Sequence, residues 1–508
     1  MRIGPSESEF RELSSKLARP CIVPVIAEPV GQKIGPVNAY STLSRNQRAS
    51  FLLESAESGS KTAGYSFIGT DPFVILRVKG KDVEIQGDRK LREMVENGTE
   101  EIKKNDGPVD IVKRAFLFGK ISVPEMNRSR FICGPVGYFS YDIVRSAIQI
   151  GEKAIDDLGH PDAEFMLPKN VVVFDHETKK EFICSNAFMF ETSDPEEVYA
   201  SSREEIEIKS KLLERADPCP RLPTDVESNV KVKPNISKLE FANAVQKTKE
   251  YIDCGDVLQV VLSRRMKTEL KCDPLLVYLA LRKINPSPYM YYLDFGHRKI
   301  LGASPETLVR VEKGNVMARP IGGTRRRGKN PDEDAEIERK LLGNRKEREE
   351  HMMLIHLGKE DISKVAKVGS VKIEDFMRVE RYSHVMHIVS TVRGSLREDK
   401  DEFDALKANF PAGTVVGAPR LRAMEIIEEL EPTRRGIYAG GVGYFDYRHN
   451  MDFAITIRTI IVEGKKAYIQ VGAGIVSRSV PELEFYETEN KSRALLKAIG
   501  IAEALRGG

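Results

Sequence analysis

The sequence predicts an α+β fold of antiparallel sheets with helices outside. Strand-like segments come in runs joined by hairpin turns such as Val462-Glu463-Gly464-Lys465-Lys466, and they do not alternate regularly with helices. That pattern disfavours a doubly wound nucleotide fold. The 508 residues, 41% of them apolar, are enough for two ordinary domains or one large interlocked body with a sizeable core.

Taken in order, Asp71 to Val83 and Asn170 to Asp175 carry β-branched and apolar residues in strand patterns, and Glu196 to Arg215 reads as a charged helix. The stretch 216–238 holds four prolines and no helical or strand period, so it reads as a linker or long surface crossing between residues 1–215 and 239–508. Beyond it, Lys238 to Cys254 and Asp273 to Ile284 have helical periods. Asp256 to Ser263, Lys299 to Leu301, Met451 to Val462 and Lys466 to Val471 read as strands. Gly134-Pro-Val-Gly-Tyr-Phe-Ser-Tyr141 echoes Gly440-Gly-Val-Gly-Tyr-Phe-Asp-Tyr447, which either records two related sheet halves or is a chance match of short glycine-aromatic strands.

Lys plus Arg number 79 and Asp plus Glu 76, a net +3 that gives no reason to expect nucleic acid or an anionic membrane as partner. The six cysteines form no Cys-x-x-Cys pair and no regular spacing, which suggests neither a zinc site nor a disulfide framework. The N-terminus runs into charged residues with no leader-like or membrane-length apolar stretch, so a soluble cytoplasmic protein is expected.

Two helices carry paired acids. Leu341 to Leu357 is helical in pattern and places Glu347 and Glu350 on the face of Leu354 and Leu357. A second helix, read as starting in a capping box at Ser479-Val-Pro-Glu482, places Glu484 and Glu487 on the face of Lys491 and Leu495. A lone Glu-x-x-Glu at a helix start does no more than favour the dipole. Four partly buried carboxylates, however, repel one another and raise each other's pKa unless a cation compensates, and an all-oxygen set suits Mg2+. Arg458, in an apolar segment read as a central strand, needs an anionic partner: a structural carboxylate or an anionic substrate held bidentately. Gly322-Gly323-Thr324 and Gly472-Ala473-Gly474 read as glycine turns offering backbone donors. Gly323 to Asn330 comes one residue short of a phosphate-binding loop, but Asn330 replaces the hydroxyl that would hold magnesium and acids follow it, so that reading fails.

These stretches together resemble the large subunits of anthranilate synthases, among the chorismate-utilising enzymes. The resemblance spans nearly the whole chain and rests on Phe51-Leu-Leu-Glu-Ser55, Asn285-Pro-Ser-Pro-Tyr-Met290, Gly302-Ala-Ser-Pro-Glu306, Pro320-Ile-Gly-Gly-Thr324, Lys346-Glu-Arg-Glu-Glu-His351, Phe410-Pro-Ala-Gly-Thr414 and Gly472 to Thr488. It implies two antiparallel sheets packed as a sandwich. It also implies Mg2+ bound directly by Glu350 and Glu487, with Glu347 and Glu484 acting through waters or on the substrate. Chorismate would meet Gly323, Thr324, Tyr438, Arg458, Gly472, Ala473, Gly474 and Lys491. Glu306 would be the general acid of amination, and His387 the base of pyruvate elimination, with Thr414 in the same region. Ser55, Pro288, Tyr289 and Met290 resemble the site at which L-tryptophan inhibits these enzymes. Ammonia would come from a separate glutamine amidotransferase subunit, since nothing in the chain resembles one, and a hetero-oligomer is expected.

Two positions choose among relatives. Members that add water to chorismate carry a lysine where this chain has Gln259, and aminodeoxychorismate synthases commonly carry a nucleophilic lysine where it has Gly322. Anthranilate formation is therefore expected, with aminodeoxychorismate or isochorismate/salicylate synthesis, or an inactive amino-acid-responsive homologue, as alternatives. The chain departs from the family at His356, Lys359, Glu360 and Arg478, beside the acid-bearing helices.

Overall fold

In the computed structural model the described residues are 1–28, 34–55, 64–100, 102–103, 105–124, 129–223, 230–382 and 385–505. Residues 224–229 of the proline-rich stretch, Ser383 and His384 next to the His387 segment, and the last three residues lie outside them. No helix among the described residues is long and apolar enough to cross a membrane.

Two antiparallel ladders grow from one pair of long strands, Tyr65–Lys79 and Ala163–Asp175. Their register shifts between Pro72 and Val74, where Asp71 has a φ of 53° and Pro72 has no N–H to give. The resulting bulge re-aims the pair, so its two halves belong to different sheets. The half at Tyr65 to Thr70 takes Ser50–Glu54 as neighbour and continues through Tyr289–Asp294, Arg298–Ser304, Thr459–Glu463, Lys466–Ile475 and Gln259–Glu269. On its other side stand Lys180–Met189, Cys21–Glu28 and Arg2–Gly4.

The half at Val74 to Lys79 pairs with Asp82–Gly87, while its partner strand continues through Val136–Phe139, Gly441–Asp446, Asn450–Ile455, Thr307–Glu312, Asn315–Ala318 and Val385–Ser395. The last of these also pairs with Ile321–Arg326 and Lys372–Arg381. The two glycine-aromatic segments that echo each other are neighbours in this second sheet, Gly137 facing Gly443.

The sheets close on a core that takes Phe51, Tyr291 and Ile300 from one and Phe139, Phe165, Phe445 and Phe453 from the other. A second core lies on the far face of the first sheet, under helices that include Pro195–Glu214, Pro274–Ile284 and Pro481–Ala504. The α+β sandwich with helices outside is thus the observed architecture, its sheets hydrogen-bonded to each other through the shared pair.

Several local expectations are corrected. Leu341 to Leu357 is not one helix: Asn344 ends Pro331–Gly343 and caps Arg345–Ser363, accepting the Glu347 N–H at 3.2 Å. The core side of that helix is His351, Ile355 and Ile362, with Glu347 and Glu350 on its flank. Pro481–Ala504 is capped by Val480 without a side-chain bond, because the Ser479 hydroxyl accepts the Val476 N–H instead, and no capping box forms. Met451 to Val462 is two strands, not one. Gly472 to Gly474 lies within a strand, and Gly322 to Thr324 forms a strand bulge.

Candidate active site

The break at residues 456–458 places Arg458. Asn450–Ile455 belongs to the second sheet and Thr459–Glu463 to the first, so the chain crosses between sheets at Arg458, whose φ is 53°. The Ala303 N–H donates to its carbonyl at 3.1 Å. Its partly buried guanidinium has no carboxylate partner among the described residues, so no structural salt bridge there accounts for it.

From Arg458 a ring of side chains can be followed back to itself. Its charge acts on His387, whose Nδ1 lies 2.9 Å from the Thr324 hydroxyl. Burial, reinforced by that charge, pushes the imidazole pKa down to about 4, so the ring is neutral at pH 7. Beside Thr324, Gly323 has a φ of 55°, and a Cβ there would stand 3.0 Å from the Glu347 carboxylate. Glu347 is paired with Arg325 at 2.9 Å, and Lys346 lies 3.6 Å from Glu350 on the same helix.

The Lys346 charge also acts on Glu484 of the C-terminal helix, so the starts of the two acid-bearing helices lie within electrostatic reach of each other. Glu484 is raised above the usual carboxylate range, first by burial and then by Glu487. Lys491 bridges Glu487 at 2.7 Å and the Gly472 carbonyl at 2.9 Å. Beyond Ile469 the strand holding Gly472 has, among the described residues, a neighbour strand on one side only, so alternate main-chain groups there face away from that neighbour, the Gly472 carbonyl among them taken by Lys491. A Cβ on Gly472 would meet the Tyr438 hydroxyl at 2.7 Å, and the field of Tyr438 reaches Arg458, which closes the circuit.

Glu306 and Thr414 stand together against one cavity wall near Ile455. Glu306 is 8% exposed, and burial raises its carboxyl to about 7, opposed only in part by the Thr414 hydroxyl, which is buried without a well-aligned hydrogen bond. A carboxylic acid that keeps its proton near neutrality can give it to a leaving oxygen.

The four glutamates suit a hard divalent cation by donor chemistry, and Glu484, raised chiefly by burial, is the one whose charge the fold disfavours. Among the described residues no three acidic, histidine or cysteine side chains are already gathered as a metal centre, since Glu347, Glu350 and Glu487 each lean on a cationic neighbour.

Sequence reasoning missed His351. It is fully buried, with Nε2 2.8 Å from the Ser390 hydroxyl and Nδ1 without a partner, and burial lowers its pKa to about 4. A Cβ on Gly322 would stand 2.8 Å from that Nδ1. The space a side chain at position 322 would enter is therefore closed by an imidazole, and the signal in the sequence was the histidine that ends Lys346 to His351. The rejected phosphate loop fails physically too: Asp334 accepts the Gly328 N–H at 2.5 Å and Asn330 caps the next helix, so an acid fills the anion's place.

His356, Lys359, Glu360 and Arg478 are exposed, while Asp361, between them in sequence space, is buried and ion-paired to Arg420. The family-atypical residues thus face solvent, outside the ring. Gln259 lies against the strand edge, its Nε2 2.6 Å from where a Cβ on Gly474 would be.

A second cavity gathers the other predicted group. Ser55, Pro288, Tyr289 and Met290, from segments more than two hundred residues apart, line it together with Arg130, Tyr291, Arg310 and Asp452. The Met290 side chain packs in the core under the helices, so that residue faces the cavity through its main chain. Arg310 bonds the Tyr289 hydroxyl at 2.9 Å and Asp452 at 2.8 Å. Among the described residues its Nε and the Ser55 hydroxyl are both buried without hydrogen-bond partners.

The profile of the chorismate binding enzymes matches residues 51–497. The chain is 44% identical to an anthranilate synthase component 1 of Acetivibrio thermocellus, over 96% of this chain and 97% of that one. It is also 44% identical to the component 1 of Aquifex aeolicus, over 99% of each. Among solved structures, anthranilate synthase component I from Streptococcus pneumoniae TIGR4 superposes with a TM-score of 0.73 at 33% identity, covering 87% of this chain and 94% of that one. A menaquinone-specific isochorismate synthase from Escherichia coli shares the fold, with a TM-score of 0.67 at 18% identity over 97% and 99% of the chains.

Proposed function

Because this chain belongs to the chorismate binding enzymes, and within them to the anthranilate synthase component 1 relatives, we propose that it adds ammonia to chorismate and eliminates pyruvate to leave anthranilate, the opening reaction of tryptophan biosynthesis. The observation that carries this reading is the Arg458 guanidinium at the sheet crossing, without a carboxylate partner among the described residues and in electrostatic reach of the neutral His387.

Arg458 grips a substrate carboxylate bidentately. Thr324, Tyr438, Lys491 and the main chain of Gly472, Ala473 and Gly474, with Gly323, fix the ring's orientation. Glu306, protonated, donates to the departing ring hydroxyl as ammonia adds, and Thr414 orients that carboxyl. His387, neutral, takes the ring proton as pyruvate leaves and aromaticity forms. Glu350 and Glu487, supported by Glu347 and Glu484, would hold Mg2+, which when bound supplies positive charge to the substrate carboxylates.

Residues 239–508 carry this chemistry, and 1–215 contribute Ser55 to the second cavity, where we place L-tryptophan as feedback inhibitor with Pro288, Tyr289 and Met290. A separate glutamine amidotransferase subunit supplies ammonia, in a soluble cytoplasmic hetero-oligomer. Incubation of the chain with chorismate, Mg2+ and ammonium should yield anthranilate, read by its fluorescence, whereas glutamine alone yields none until the amidotransferase is added. Isochorismate as product, or efficient glutamine use by the isolated chain, would overturn the assignment.

Glu306 gives a pH signature. Its carboxyl is raised to about 7 in the fold, so the proton-donating form exists below that value and amination should decline as pH rises through it. The same shift acts on stability in a fixed direction. The native state holds this proton more tightly than the unfolded chain, so its stabilising effect is complete below about 4.5, the unfolded value, and is lost by about pH 7. Glu306→Gln should therefore abolish most amination yet raise the melting temperature relative to the parent more at pH 8 than at pH 5. A variant that loses activity but shows no such pH-dependent gap would argue against a buried, proton-holding carboxyl.

A further inference from the structure

Arg458 keeps a left-handed backbone that a residue with a long side chain adopts only when its surroundings hold it there. What holds it is one residue further on. The Thr459 hydroxyl donates to the Ile457 carbonyl at 2.9 Å, spanning Arg458, and the Tyr291 hydroxyl lies 2.6 Å from the same Thr459 oxygen. With the threonine proton given to Ile457, the tyrosine is the donor.

Tyr291 reaches Thr459 by lying across the strand Arg298–Ser304, over Gly302, where a Cβ would stand 2.4 Å from its ring. Both hydroxyls are buried, Tyr291 at 2% and Thr459 at 6% exposure, so no water competes freely for the bond. The other side of Tyr291 forms a wall of the cavity lined by Ser55 and Arg310. One side chain therefore touches that cavity and the turn that aims the anion-binding arginine.

We propose that Tyr291 is a positioning residue for Arg458, acting through Thr459, and that displacement of Tyr291 by an occupant of the second cavity is how that occupant weakens chorismate binding. The second half rests on the reading of that cavity as the tryptophan site. Tyr289, on the same face of the same strand, makes a parallel contact to Thr307 beside Glu306, but its hydroxyl is shared with Arg310 and Asp452 and is less free to report.

The test uses the full chain with Tyr291→Phe, which keeps the ring and the cavity wall and removes only the hydroxyl. Chorismate KM should rise about tenfold, the scale of one buried hydrogen bond, with kcat within about twofold. L-tryptophan, followed by its own indole fluorescence because the chain contains no tryptophan, should still bind with near-parental Kd, while the factor by which it weakens chorismate binding falls toward one. Thr459→Val should reproduce the KM change and Thr459→Ser should restore the parental value. Unchanged KM in Tyr291→Phe, or equal KM for the Val and Ser variants, would overturn the positioning role. Undiminished coupling alongside a raised KM would overturn the transmission role. A parental chain that binds no tryptophan would instead refute the feedback reading, with the KM arm still deciding the role of Tyr291.

Discussion

Glu487→Gln is expected to lower anthranilate formation by about a hundredfold or more while moving the melting temperature by no more than a few degrees. The two halves of that expectation have separate causes. Glu487 is 47% exposed and its bond to Lys491 is an i,i+4 pair near a helix start, a geometry worth about 0.3–0.5 kcal/mol. Nothing in the core depends on its charge. Glutamine keeps the shape and one oxygen, but removes the negative charge that a hard cation requires of its ligands.

Glu350 offers the same contrast, 41% exposed and 3.6 Å from Lys346, so Glu350→Gln should follow it. Glu347 differs, because at 17% exposure it is braced by Arg325 and packed against Gly323, and its replacement should cost stability as well. Steady-state rates measured over a magnesium titration separate the effects: a Glu487→Gln chain with near-parental rates and unaltered magnesium dependence would remove that residue from the metal assignment.

The elements that local pattern dictates were legible in the sequence. Lys238–Asp253 and Pro274–Ile284 begin at Ser237 and Asp273, side chains that cap them, and their apolar periods are regular. The acid pairs were legible for the same reason, since spacing on a helix is a local property. The strand break at Arg458 was not. Asn450–Ile455 and Thr459–Glu463 are each buried on both faces, no glycine or proline separates them, and only their pairing with different sheets shows that the chain turns there.

The position of Asn344 illustrates a signal present but outweighed. It caps the second helix after Gly343, yet the helical period runs on through both helices and hides the join. Juxtapositions across the chain, His351 over Gly322 or Tyr291 against Thr459, depend on strand register and have no local trace. The resemblance to a family supplied His387 and Ser55, whose own surroundings in sequence say little.

His387→Ala is expected to divide the two half-reactions, with amination continuing and pyruvate release slowed about 10²–10⁴-fold, so that the aminated, still pyruvyl-bearing intermediate accumulates. The geometry favours a base over an acid. Burial and the Arg458 charge keep the imidazole neutral, Thr324 engages Nδ1, and Tyr382 packs edge-on at 5.4 Å to hold the ring plane. In the tautomer whose Nδ1–H donates to Thr324, Nε2 is the nitrogen left to receive the proton that the proposed elimination releases.

Alanine removes that acceptor without disturbing the charges proposed to hold chorismate, because His387 carries none at neutral pH. It also relieves Arg458 of a neighbour but not of the Thr459 clasp, so substrate binding should survive. Chromatography of quenched reactions reads the outcome directly: intermediate should appear at the rate of the parental amination step, and anthranilate should follow slowly. If both steps slow in proportion and no intermediate collects, His387 supports the site's structure alone and the base of the elimination must be sought elsewhere in the ring.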